Sequence, residues 1–280
     1  MDSTIRHIQT NLQEIIIEKG EDDLKLTLNG DLQFSFKEDS IYTNAMSLIP
    51  MRFFESKKGI KVLILGGGDG FIADKIRQFS NISDIELCEL DSGMIELCKT
   101  DDDIRIFNHD VFIDPKLHVH IEDAFTWIGK QSTVYDLIIA DFPDANALEL
   151  SKLYSVEFYK NINNLLDSDG VFITIASEIR YTQSCFECII KTLNSVFDYL
   201  VPFSLYMPET YGKIGLIMVS KADIFHNHCN DLDLYFPQRQ DTIEINTIKN
   251  NLAYTLFHEE TLSSGFIPGI TNKKASNYAN

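Results

Sequence analysis

The stretch KVLILGGGDGFIADKIRQFSNISDIELCELD, residues 61–91, decides the fold. It opens with Val62, Leu63, Ile64 and Leu65, an apolar run of the length expected for a parallel strand buried on both faces. Gly66, Gly67 and Gly68 follow at once, with Gly70 beyond Asp69. Glycines in that place let the chain turn sharply and let a ligand lie against bare peptide. Ile72, Ile76 and Phe79 then recur at helical spacing, and residues 84–90 read as a second strand that ends on the acidic pair Glu89 and Asp91. An acid about twenty residues past a glycine loop, at the tip of the next strand, is placed for the two hydroxyls of a ribose. The unit is the nucleoside-binding half of a Rossmann-like βαβ arrangement.

The glycine spacing narrows the nucleoside. Gly66, Gly68 and Phe71 leave the dinucleotide pattern G-x-G-x-x-G without its last glycine. Asp69, inside the loop, would repel a pyrophosphate and suits a cation such as a sulfonium or an ammonium. S-adenosylmethionine (AdoMet) and its decarboxylated form meet that requirement.

Working outward, the N-terminal side carries three short strands, at 14–18, 24–28 and 32–36, the last two joined by Asn29-Gly30, a strong hairpin signal. Residues 1–12 read as an amphipathic lead-in, and 41–54 as a helix interrupted at Pro50. On the C-terminal side, strands are expected at 117–121, 134–140 and 170–176, alternating with helices near 94–98, 124–128, 158–166 and 184–193. Two late strands, 197–206 and 214–219, form an antiparallel pair. The acid run Asp101-Asp102-Asp103 reads as a solvated loop. The expected fold is therefore α/β, a Rossmann-like AdoMet-methyltransferase-type seven-stranded sheet with a small N-terminal antiparallel β domain. Its divisions are 1–55 (hairpin domain), 56–222 (donor-binding catalytic domain) and 223–280 (C-terminal extension, with 271–280 a loose tail).

Composition bounds the function. The 280 residues carry 24 Lys and Arg against 42 Asp and Glu, a net charge of −18, which argues against a nucleic-acid partner. No apolar run reaches the ~18 residues of a membrane span, and no signal-peptide pattern opens the chain. Five cysteines without framework spacing (Cys88, Cys98, Cys185, Cys188 and Cys229) point to reduced thiols and a cytoplasmic setting. Cys185-Phe-Glu-Cys188 on a helix reads as core, as do Phe125 and Trp127. His118-Val-His120 and His226-Asn-His228 each pair two imidazoles without a third ligand, so no metal is expected.

In an open parallel sheet, ligands bind at the carboxyl ends of the strands. That rule brings Asp69, Glu89, Asp123, Asp141 and Asp144 to one crevice, where five carboxylates require a cation among them. Asp123 is placed both to accept the exocyclic amine of adenine and to cap the helix that follows. Pro143 stiffens the segment between Asp141 and Asp144, so either acid can hold an ammonium or take its proton as general base.

These motifs resemble, in order from about residue 26 to 219, the aminopropyltransferases, the spermidine and spermine synthase family. Leu28-Asn29-Gly30-Asp31-Leu32-Gln33 resembles its hairpin with a ligand-binding glutamine, Gln33, and Ile41-Tyr42 its active-site tyrosine. Gly66 to Gly70 and Cys88-Glu89-Leu90-Asp91 resemble its donor loop and ribose acid; Glu122-Asp123-Ala124-Phe125 resembles its adenine acid. Asp141-Phe142-Pro143-Asp144 sits where that family carries catalytic aspartates, and Tyr206-Met207-Pro208 with Thr210-Tyr211-Gly212 and Gly215 is similar to its late acceptor loop. The resemblance implies transfer of an aminopropyl group from decarboxylated AdoMet, as co-substrate, to a small-molecule amine, with release of methylthioadenosine and no metal. Gln33, Gly66, Gly68, Asp69, Gly70, Glu89, Asp123 and Ala124 would then bind donor. Tyr42, Asp144 and Tyr211 would bind acceptor, and Asp141, Asp144 and Tyr42 would carry catalysis; a homodimer is left open.

The departures lie on the acceptor side. Thr43 and Asn44 follow Tyr42 in place of a histidine and an acid, Phe142-Pro143 replaces paired serines, and the 174–178 segment lacks the family's glutamine. Such drift suits a changed acceptor. One alternative resembles the microcin C type of antibiotic maturation, with a 3-amino-3-carboxypropyl group moved from AdoMet to a nucleotide phosphate. Arg180 and Lys213 would be the cations facing the donor carboxylate. The others are an AdoMet methyltransferase and a non-catalytic nucleoside binder.

Overall fold

The computed structural model describes residues 4–21, 23–143, 148–207 and 212–225, with only the backbone for 4, 39, 148, 149, 177–185 and 213. Asp144, Tyr211, Cys229, the 226–228 histidine pair and the tail lie outside the described residues, as do the side chains of Cys185, Arg180 and Lys213.

A four-stranded antiparallel sheet comes first, in the order β1 (Thr4–Gln9), β2 (Glu14–Lys19), β3 (Leu24–Leu28) and β4 (Asp31–Ser35). Asn29 and Gly30 turn β3 into β4 with φ of +51° and +93°, the two positive values a type I′ turn needs. The lead-in expected at 1–12 is instead the strand β1, pairing Thr4 to Lys19 through Gln9 to Glu14. Its sequence, TIRHIQ, has no clean apolar alternation, so backbone pairing with β2 rather than a side-chain pattern makes it a strand.

The chain then forms α1 (Phe36–Met51), with Pro50 inside its last turn and a 3₁₀ turn, Arg52–Phe54, beyond it. This helix starts earlier than the 41–54 pattern suggested, directly off β4. Next come β5 (Ile60–Gly66), α2 (Phe71–Arg77), β6 (Ile82–Glu89), α3 (Ser92–Thr100) and α4 (Asp102–Asn108). They are followed by β7 (Leu117–Ile121), α5 (Ala124–Ile128), β8 (Tyr135–Asp141), α6 (Leu148–Ser151) and α7 (Val156–Leu165). The domain closes with β9 (Leu166–Glu178), α8 (Ile179–Asn194), β10 (Tyr199–Met207) and β11 (Gly212–Ser220).

Seven strands make one sheet in the order β10-β11-β9-β8-β5-β6-β7. β5 to β9 run parallel, and β11 is inserted antiparallel between β9 and β10. The order reverses between β5 and β8, which is where an open sheet parts to leave a crevice. Alternate residues feed two cores: Leu63, Leu65, Ile138 and Phe172 pack under α5, α7 and α8, while Val62, Ile64, Leu137 and Ile173 pack under α1 and α2. Both faces are covered, which explains why these strands read as unbroken apolar runs.

The N-terminal sheet does not stand apart. Its buried face, Ile15, Ile17, Leu24, Leu26 and Phe34, shares a third core with Phe71, Met94, Cys98 and Ile104 of α2, α3 and α4. The acid run at 101–103 is correspondingly not a solvated loop. Asp101 caps α4 by accepting from the N–H groups of Asp103 and Ile104, and Arg6 donates to both Asp101 and Asp103. Lys19 reaches Asp103 at 2.5 Å. Asp101 and Asp103 are tolerated there because a helix N-terminus and two cations from the small sheet face them, while Asp102 between them stays solvated beside Arg105.

Candidate active site

Apolar runs end where the sheet parts, and polar side chains take over. Gly66 at the end of β5 pairs in register with Asp141 at the end of β8, and Glu89 ends β6 on the other side. Gly66, Gly67 and Gly70 have φ of +81°, +66° and +84°, a left-handed path that side chains resist. A Cβ on Gly66 would stand 2.1 Å from the Asp141 carbonyl oxygen, and one on Gly67 3.4 Å from Asp141 Oδ2. One on Gly68 would stand 2.9 Å from Glu89 Oε2. The loop is therefore bare because it is wedged between two carboxylates.

Asp141 accepts a 2.5 Å hydrogen bond at Oδ1 from the Tyr42 hydroxyl on α1. Burial pushes its carboxyl above the ordinary value, and the tyrosine hydrogen bond partly opposes this. Glu89 is raised as well: by burial first, against N–H groups of Asp91 and Leu90 that favour its charge, and with Asp91 and Asp141 adding repulsion. The Asp91 N–H lies 2.9 Å from Glu89 Oε1. Two desolvated carboxylates facing one loop favour a positive charge between them.

The acidic pair Glu89 and Asp91 is divided by the fold. Asp91 is 4 % exposed and caps α3, accepting from the Gly93 N–H at 2.9 Å, so it does not share the crevice role that its sequence position suggested. Asp123 caps α5 as its position suggested, with Oδ1 taking the Thr126 N–H and hydroxyl at 2.9 Å each; the unexpected partner is Lys152, which donates to Oδ2 at 2.6 Å. Burial alone would raise it, but Lys152 and Thr126 hold its carboxyl below the ordinary value. Asp123 thus carries a cation of its own. Lys152 was not singled out in the sequence; it lies 29 residues from its partner and carries no local signal.

Asp69 sits in the glycine loop with Oδ1 accepting from the Phe71 N–H at 2.9 Å, and its carbonyl accepts from Asn108 Nδ2 at 3.1 Å. Gln33 is the extra residue of a β-bulge, skipped between the Leu26–Phe34 and Thr27–Leu32 pairs; its amide donates to the Asp31 carbonyl at 3.3 Å. Bulges re-aim a side chain, so Gln33 leaves the regular alternation of β4. Ala124 opens α5 with its methyl buried. Tyr154 donates to the Pro143 carbonyl at 2.8 Å and fastens the start of the segment leading to Asp144.

The lesser motifs are structural. His118 and His120 face Asp84 and Glu86 across β6 and β7 at 3.0 and 3.2 Å, Trp127 is buried, and Phe125 stacks on Phe158. Cys88, Cys98 and Cys188 are buried free thiols. Among the described residues, no three His, Cys, Asp or Glu side chains converge as a metal-ligand set. A cavity lined by Met51, Arg52, Glu55, Phe79, Ser80 and Asn81 lies at the opposite, amino-terminal end of β6 and takes no part in this site.

Known proteins resemble this chain. A polyamine aminopropyltransferase 2 from Aquifex aeolicus is 35 % identical over 216 residues, 77 % of this chain and 43 % of the relative. A polyamine aminopropyltransferase from Leptospira interrogans is 27 % identical over 252 residues, 90 % of this chain and 50 % of the relative. The chain thus spans about half the length of the curated relatives it matches, or less. Among solved structures, a spermidine synthase in complex with the transition-state analogue AdoDATO superposes with a TM-score of 0.73 at 23 % identity, covering 97 % of this chain and 88 % of that one. Spermidine synthase from Thermotoga maritima gives 0.71 at 21 %, covering 99 % and 89 %. At those identities the likeness shows the fold, a methyltransferase-like α/β sheet carrying an N-terminal antiparallel sheet. Residues 39–231, most of the chain and the ends of β5, β6 and β8 that frame the crevice, match the spermine/spermidine synthase domain, and this chain belongs to that family.

Proposed function

We propose that this protein transfers an aminopropyl group from decarboxylated AdoMet to a small amine and releases methylthioadenosine. The observation that carries the reading is the convergence of Tyr42, Asp141 and Glu89 on the glycine loop at the sheet's switch point. In this reading Glu89 takes the ribose hydroxyls, and Asp123, held ionised by Lys152, takes the adenine amine. Asp69 faces the ammonium of the propyl chain, while Asp144 and Tyr211 contribute to the acceptor side.

An amine acceptor is protonated near neutral pH, with a free pKa of about 10. Asp141 orients it and receives a proton, work for which a carboxyl raised by burial is the better base. The nitrogen lone pair then attacks the propyl carbon next to sulfur. The carbon–sulfur bond breaks, its electron pair returns to sulfur, and the sulfonium leaves as a neutral thioether. Tyr42 keeps Asp141 Oδ1 occupied, so that Oδ2 is the oxygen turned to the loop and the acceptor. The same pair of desolvated carboxylates disfavours an acceptor phosphate and the carboxylate of intact AdoMet, which supports the amine reading over the carboxypropyl one.

The test is mass spectrometry after incubation with AdoMet or decarboxylated AdoMet and a panel of amines and nucleotides. Methylthioadenosine with an aminopropylated amine is the expected product pair. S-adenosylhomocysteine would mean methyl transfer, and an alkylated phosphate would mean carboxypropyl transfer; either overturns the proposal.

A further inference from the structure

The turn between β1 and β2 lies far from the crevice in sequence, yet it is bonded to the backbone that holds Glu89. Thr10 Oγ1 donates to Asp91 Oδ2 at 2.7 Å, and Gln13 Nε2 donates to the same oxygen at 2.8 Å. Asp91 is buried, its other oxygen caps α3, and its N–H reaches Glu89 Oε1 at 2.9 Å. The packing at this junction is equally close. A Cβ on Gly93, in the first turn of α3, would lie 2.6 Å from Thr10 Cγ2, although Gly93 has no left-handed φ to explain its being glycine. Glycine is there because the turn presses directly on the helix start.

We infer that Thr10 and Gln13 are positioning residues of the donor site, acting through Asp91 on Glu89. This rests on the reading of Glu89 as the ribose acid. The physical case is that Glu89 is desolvated and repelled by Asp91 and Asp141, so it keeps a productive orientation only while the Leu90–Asp91 backbone stays fixed. Asp91 in turn stays buried and fixed only while donors face it. Its Oδ2 accepts from two side chains of the β1–β2 turn. Removing them leaves a buried carboxylate oxygen unsatisfied, an expensive state that the local backbone relieves by moving. By the reciprocity of linkage, ligand on Glu89 must also order the turn.

The other end of the same hairpin supplies the control. Arg6 ties β1 to Asp101 and Asp103 and touches neither Asp91 nor Glu89. Calorimetry with methylthioadenosine, alongside thermal unfolding, would compare wild type with Thr10→Val, Thr10→Ser, Gln13→Leu and Arg6→Met. Thr10→Val and Gln13→Leu are each expected to weaken nucleoside binding about 5-fold or more, the lower end of ordinary coupling between sites. Thr10→Ser, which keeps the hydroxyl, should bind as wild type does. Arg6→Met should lower the unfolding temperature without changing nucleoside affinity. Unchanged affinity in Thr10→Val, or a loss in Arg6→Met as large as in Thr10→Val, would overturn the inference and leave Glu89's role standing. Wild-type protein that fails to bind methylthioadenosine would overturn the reading of the crevice itself, and the turn's role with it.

Discussion

Gly68→Ala is the substitution that most directly tests how the glycine loop and the ribose acid fit together. Gly68 does not occupy the left-handed region, so alanine meets no backbone strain there. The added Cβ would instead lie 2.9 Å from Glu89 Cγ and Oε2 and 3.0 Å from Cδ. Ordinary carbon contacts begin near 3.5 Å, so the carboxylate has to retreat by about 0.5 Å. All three atoms belong to the end of a flexible side chain, so the fold yields there and the charged hydrogen bonds to ligand are lost. Such bonds are worth about 1.5–3 kcal/mol, which predicts roughly 10- to 100-fold weaker methylthioadenosine binding. Stability should change little, since Gly→Ala also lowers unfolded-state entropy by about 0.4–1 kcal/mol, offsetting part of the strain. Calorimetry on the two single variants and on Gly68→Ala with Glu89→Gln forms a double-mutant cycle. Because the alanine acts through Glu89, the double variant should bind little worse than Glu89→Gln alone. Additive losses, or wild-type affinity in Gly68→Ala, would refute the reasoning.

Asp141→Asn should leave nucleoside affinity nearly intact while lowering turnover by about 10²–10⁴-fold, checked by steady-state assay with a saturating amine; equal turnover would remove Asp141 as base. Glu89 and Asp141 both have folded-state pKa values above the ordinary 4.5 and 3.8, so the folded protein holds protons that the unfolded chain has released. Each therefore lowers stability as pH rises above those ordinary values, and no penalty exists below them. Glu89→Gln and Asp141→Asn should accordingly raise the unfolding temperature at pH 7, with the gain vanishing below about pH 4. Asp123 has the opposite sign, its folded value lying below 3.8, so its stabilisation is present above 3.8 and lost as pH falls through the folded value. Lys152→Met should cost less than about 1 kcal/mol at pH 7, because both partners are partly exposed, and nothing in acid; denaturant titrations at the two pH values check this.

What the sequence determined by itself is the part governed by local periodicity and short-range stereochemistry. The apolar run 62–65 has no choice but a strand buried on both faces, Asn29-Gly30 can only turn in the left-handed sense, and glycines at 66–70 mark a loop that something must approach. The order of strands along the chain then places Gly66, Glu89 and Asp141 at one sheet edge, because ligand crevices follow from topology. What the tertiary structure decided are the partnerships between charges far apart in sequence, which no window of residues encodes. Glu89 and Asp91 look equivalent in the sequence, yet one ends a strand at the crevice while the other is buried beneath a turn 78 residues away. Asp123 reads as an uncompensated acid until Lys152 is folded against it, and Asp101 and Asp103 read as solvated until Arg6 and Lys19 arrive from the small sheet. A carboxylate's environment depends on which cations and N–H groups reach it in space, and only the packed chain determines that.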